Sequence, residues 1–236
     1  MKIAIGIFAV LIIGVALLYS LKKSNSSKKK SQSTKQAFFS LDDGNQDSLI
    51  FYSTVSQNWV DSTKAKFDWE NFDEYDNRMW EYMSKLFDDV IAESSAEDYN
   101  ELWEKLNRPQ KVFWSFLAFN GDTDNGGVYQ FIFNRPEFLF AVAEMWEEIG
   151  AERVAKDYAE VLKELTGKSG KISELKTAFN SETNSWEQRW ESFTDGYDEL
   201  ESTDIIEDYY FDEVFKKECH KKMADYIEQN MDMFRK

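Results

Sequence analysis

Residues 107–134 read NRPQKVFWSFLAFNGDTDNGGVYQFIFN and hold, in succession, a helix start, an apolar face and a glycine corner. Asn107 can accept a hydrogen bond from the first turn of a helix. Pro109 suits the first helical position, where its missing N–H would have no partner anyway. Val112, Phe113, Phe116 and Leu117 then recur at the spacing of one helical face. The polar run 120–127 is expected to end this helix before the apolar residues Val128 to Phe133. Asn125 can cap a helix over those residues, and Gly126-Gly127 allows a tight turn or a close backbone approach.

Working outward, the helical signal continues on both sides. Upstream, Phe72, Tyr75, Met79, Met83, Leu86 and Val90 follow the 3.6-residue period, and Ser95 with Asp98 suggests a capped helix carrying Tyr99, Leu102 and Leu106. Downstream, Pro136 opens a helix through Leu139, Val142, Ala143, Trp146 and Ile149 that stops at Gly150. A further helix carries Val154, Tyr158, Val161, Leu162 and Leu165, and Gly167 to Gly170 forms a joint. Ser185 and Gln188 resemble a capping box ahead of Trp190 and Phe193, and a last long helix is expected from near Tyr210 to Phe234. No strand-like alternation persists beyond residue 67, so the fold class is all-α, a compact helical domain.

The N-terminus differs in kind. Ile3 to Leu21 is nineteen residues without a charge, near the roughly 20 that a helix needs to cross a bilayer. We expect a single transmembrane anchor at residues 1–21. A cleaved signal peptide is the alternative, with Gly14 and Ala16 as a small-residue pair, but that cut would fall inside the apolar run. Lys22, Lys23, Lys28, Lys29, Lys30 and Lys35 follow the span against Lys2 before it, an asymmetry that places the soluble domain in the cytoplasm. Residues 22–46 are expected to be a Lys- and Ser-rich linker, and residues 47–236 the domain.

Charge divides along the chain. Of 28 Lys and Arg, seven fall in residues 1–36, which hold no acid; the remainder sets 21 basic residues against 44 acids, about −23 by formal count. Such a domain repels nucleic acid and anionic lipid, so direct nucleic-acid binding is not expected. A basic protein is its natural macromolecular partner, unless the acidity serves solubility alone. The candidate partner-binding acids are Glu144, Glu147, Glu148 and Glu152, which share helical spacing, and Asp195, Asp198, Glu199, Glu201, Asp204, Glu207 and Asp208, seven acids within fourteen residues that contain no base.

Catalytic and metal patterns are weak. Counting a calcium loop from Asp122 puts Gly126 at position five and Phe133 at twelve, where ligands are required. One histidine and one cysteine cannot build a di-iron bundle or a Cys-rich zinc site. Cys219 and His220 are neighbours that point apart on a helix. Gly126-Gly127 lacks the elements of a phosphate loop. No catalytic residue, metal or cofactor is therefore assigned, and the chain is not expected to be an enzyme.

The string Asn125-Gly126-Gly127-Val128-Tyr129-Gln130-Phe131-Ile132-Phe133-Asn134, followed by Trp146-Glu-Glu-Ile-Gly-Ala151, resembles the NGGxxQFxxN signature of the DNA-mimic protein family. Its motif residues here are Asn125, Gly126, Gly127, Gln130, Phe131 and Asn134. The tail from Asp204 to Phe211, with Tyr226-Ile227, Asn230 and Phe234, is similar to that family's acidic ending, and the resemblance spans about residues 75–234. It implies an acidic, all-helical, often dimeric domain without known catalysis, whose described member occupies the DNA-binding face of a transcriptional regulator. Asp124 replaces a common amide, and an anchor is foreign to that member. Three readings are open: a noncatalytic binder of a basic protein, a membrane-tethered immunity or envelope-stress protein, and an enzyme using carboxylates.

Overall fold

The computed structural model describes residues 38–44, 56–65, 99–166 and 200–234. The apolar span 3–21, the lysine tether, the helix expected at 72–90, Ser95 with Asp98, the joint 167–170, and Ser185 with Gln188 lie outside these residues. Among the described residues every regular element is helical. They are α1 (Gln57–Lys64), α2 (Tyr99–Lys105), α3 (Arg108–Asn134), α4 (Leu139–Glu148), α5 (Glu152–Thr166), α6 (Ser202–Tyr210) and α7 (Glu213–Gln229). Short 3-10 turns sit at Pro136–Phe138 and Met231–Met233. None of the described helices is long and apolar enough to cross a membrane.

The start of α3 follows from local chemistry. Asn107 Oδ1 accepts the Gln110 N–H at 3.0 Å, while Gln110 Oε1 accepts the Asn107 N–H at 3.1 Å, so two orphan donors are satisfied reciprocally. The helix does not end at the polar run. It continues through residues 120–125 because Asn120 and Thr123 extend the inward stripe of Val112, Phe113 and Phe116 and are themselves buried, whereas Gly121, Asp124 and Asn125 face solvent. Asn120 is satisfied inside: its Nδ2 donates to Phe116 O at 2.7 Å and its Oδ1 accepts the Tyr210 hydroxyl at 2.5 Å. The break falls at Gly126 and Gly127, whose backbone leaves helical geometry, Gly127 at φ +82°.

Helix α3 packs on α4, α6 and α7, and α5 closes the other side against α4 and α6. Phe119 is the hub. Its ring meets Phe131 at 5.1 Å, Trp146 at 5.2 Å, Tyr210 at 5.7 Å and Tyr158 at 5.9 Å, the last three near edge-on. One α3 side chain thus ties α4, α5, α6 and the far half of α3 together, and each such ring pair adds about 0.5–1.5 kcal/mol beyond burial. Gly150, at φ +70°, stops the chain after α4 as its position suggested.

Two boundaries differ from expectation. The expected terminal helix is two helices: Tyr210 closes α6, and Asp212 Oδ1 caps α7 by accepting the N–H groups of Val214 at 2.8 Å and Phe215 at 3.2 Å. Residues 38–44, assigned to the linker 22–46, belong to the core. Phe39 stacks on Trp103 with ring centres 4.5 Å apart, and Leu41 is fully buried. The buried Lys111 donates to Asp43 O, and desolvation lowers its ammonium pKa against the opposing pull of Asp43.

Candidate functional site

The glycine corner is built from the residues around it. Val128 opens the second half of α3, and its N–H donates to Glu207 Oε1 at 2.7 Å. The carboxylate comes from α6 and meets a helix N-terminus, where both the free N–H groups and the backbone dipole favour negative charge. It needs Gly127, because a Cβ there would lie 2.4 Å from Glu207 Oε1. A Cβ on Gly126 would lie 1.9 Å from Gln130 Oε1, so Gln130 folds back over the corner. Asn125 does not cap: its Nδ2 donates back to Gly121 O at 2.9 Å, and Glu207 does the capping. Asn134 Nδ2 and Arg135 Nε both donate to Asp122, at 2.9 and 3.1 Å, linking the two halves of α3 across the kink. Phe131 is core. The motif residues therefore hold backbone and core together.

The candidate acids separate into two groups. Glu144 accepts the Leu41 N–H at 2.6 Å and the Ser40 hydroxyl at 3.1 Å, fastening the N-terminal segment. Glu148 pairs with Arg108 at 2.6 Å and accepts the Tyr226 hydroxyl at 2.5 Å. The hydrogen bond to Glu148 raises the Arg108 pKa, and burial with the Glu148 contact pushes the Tyr226 hydroxyl well above its ordinary value. Glu207 is the cap already described. In contrast, Glu147, Glu152, Glu201, Asp204 and Asp208 are exposed, and none has an ion-pair partner among the described residues. Asp195, Asp198 and Glu199 lie outside them.

Sequence reasoning missed a groove of about 370 Å³ between the start of α5 and the corner joining α6 to α7. Glu152, Asp208, Asp212 and Glu218 line it, with Tyr209 and Cys219 deeper. Its two cations are engaged: the Arg153 guanidinium lies 3.6 Å from the Tyr209 ring centre, and Lys222 Nζ donates to Gly150 O at 2.8 Å. Burial, aided by Glu218, raises the Cys219 thiol to about 12, and burial with nearby Lys216 lowers His220 to about 3. Both are neutral at pH 7, which makes neither a thiolate nucleophile nor an imidazolium. Among the described residues no three His, Cys, Asp or Glu side chains gather to hold a metal ion.

An all-helical acidic domain, with its signature glycines spent on a helix corner and its acids divided between structure and surface, defines a class of scaffold that displays charge. The model of the DMP19-like protein family matches residues 104–230, more than half of the chain, and the chain belongs to that family. No curated protein and no solved structure matches it.

Proposed function

We propose that this chain is a noncatalytic acidic protein that holds a basic protein partner, presenting carboxylates to a surface built to receive DNA. The observation that carries the reading is the exposure of Glu147, Glu152, Glu201, Asp204 and Asp208, which have no ion-pair partner among the described residues. Clustered like charges repel one another and disfavour the compact state, so they gain most when a cationic surface meets them. Membership of the DMP19-like family supports the same reading. The bland alternative is a solvated face. Full-length chain and a variant with all five acids changed to Asn or Gln, each used as bait, separate the two. The parent is expected to retain a basic protein that the variant loses and that added duplex DNA displaces. Retention of the same proteins by both baits would leave the acids with solubility alone.

The apolar run Ile3 to Leu21, with lysines behind it, supports attachment to the cytoplasmic face of a membrane. That attachment favours partners reachable from the membrane, including the basic toxin that an immunity protein would neutralise. Protease added outside intact cells is expected to leave residues 37–236 uncut; efficient digestion there would reverse the orientation.

A further inference from the structure

We infer that the corner between α6 and α7 is the seat for an amphipathic basic segment of the protein partner, with Phe211 and Val214 receiving its apolar side chains and the groove acids pairing its cations. This rests on the reading of the chain as a binder of a basic protein, and adds an apolar half to the recognition.

The large apolar side chains that stand exposed among the described residues are Ile205, Phe211 and Val214, at 50%, 52% and 74%. All three fall within residues 205–214. A face kept acidic for solubility has no use for them, whereas apolar side chains rimmed by charge are the composition of an interaction surface. Val214 also lines the adjacent groove, whose volume suits one or two side chains and not a whole helix.

Charge selects the occupant. Glu152, Asp208 and Glu218 are exposed around the groove, and Asp212 adds its charge while capping α7. Arg153 is held against Tyr209, and Lys222 against Gly150 and, at 3.8 Å, Glu218, so these two cations offset part of the charge and leave the four acids in excess. Anionic lipid and nucleic acid are therefore repelled. A second copy is disfavoured too, because a two-fold contact would set these four carboxylates against their own images. A segment with Leu-like side chains on one face and Lys or Arg beside them satisfies both halves.

The test uses the full chain in phosphatidylcholine nanodiscs, with empty discs as blank, and two fluorescent peptides of equal length and charge. In one, lysines alternate with leucines at helical spacing; in the other, serines replace the leucines. The parent is expected to bind the Lys/Leu peptide about tenfold more tightly than the Lys/Ser peptide. Phe211→Ser with Val214→Ser should bring the two within about twofold, leaving Lys/Ser binding unchanged. Phe211 touches the Tyr210 ring, so Val214→Ser alone, at an exposed site, keeps the test open and should cost about threefold. Asp208→Asn with Glu152→Gln should weaken both peptides. Discrimination that survives the serine variants would overturn the apolar seat. Equal binding of both peptides by the parent, weakened by the acid substitutions, would overturn the seat and leave the proposed function standing. Failure to bind either peptide would remove both. Sedimentation supplies the last check: a parent dimer that Val214→Ser dissociates would assign the face to a second copy and overturn the inference.

Discussion

Gly127→Val is expected to lower folding stability by about 2–4 kcal/mol, the sum of roughly 1–3 for a branched side chain at positive φ and about 1 for a lost helix cap. At φ +82° only glycine is relaxed, and the valine Cβ would displace the Glu207 carboxylate from the Val128 N–H. Gly126→Val should cost less. Its φ of −168° lies outside the left-handed region, and its Cβ would meet the mobile end of Gln130. Gly121→Ala, with nothing within 4 Å of the new Cβ, should gain about 0.5–1 kcal/mol as an exposed helical position. Chemical denaturation of the three variants checks the ranking. Partner binding should fall only in proportion to the unfolded fraction; a Gly127 variant that kept its stability but lost the partner would make the corner a recognition site.

The second large effect is acid sensitivity set by His220. Its imidazole is buried, packs against the Phe116 ring at 5.4 Å, and has a folded pKa near 3 against 6.5 for the unfolded chain. Between those values the unfolded chain binds the extra proton. The contribution is therefore fully present above pH 6.5 and is lost as pH falls toward 3. From pH 7.5 to 5 the loss should be about 2 kcal/mol, at about 1.4 kcal/mol per pH unit below 6.5. His220→Gln cannot titrate there, so its stability should change less by that amount, while carboxylate effects are shared with the parent. Parallel stability profiles for the two proteins between pH 7.5 and 5 would contradict the buried neutral imidazole.

The features legible in the sequence were local. The Asn107 cap, Pro136, the Gly150 stop and the apolar stripes of α3, α4 and α5 depend on residues within a turn or two of each other. The missed features depend on distant partners or on burial. Polar composition made residues 120–127 resemble a loop, but Asn120 finds its partner in Tyr210, ninety residues away. Tyr209, Tyr210, Phe211, Val214 and Phe215 read as one apolar run, and only the Asp212 cap divides it. Phe39 and Leu41 are too few to announce a core segment until Trp103 and Glu144 receive them. The acids show the same limit. Glu148 and Glu207 match Glu147 and Asp208 in sequence character, yet they are committed to Arg108 and Val128, 40 and 79 residues distant.

This division determines how charge can be tested without unfolding the protein. Glu144, Glu148 and Glu207 must be left intact, since removing them attacks the fold. Substituting Glu147, Glu152, Asp204 and Asp208 by Gln or Asn relieves repulsion and should hold or raise the melting temperature. The most direct measurement is affinity for the captured basic partner as a function of salt, for the parent and for this variant. Exposed charges are screened beyond about 10 Å at 0.1 M, so the parent's affinity should fall steeply as salt rises, while the variant should bind more weakly with a shallower slope. Equal affinity and equal salt dependence for the two proteins would contradict recognition by charge.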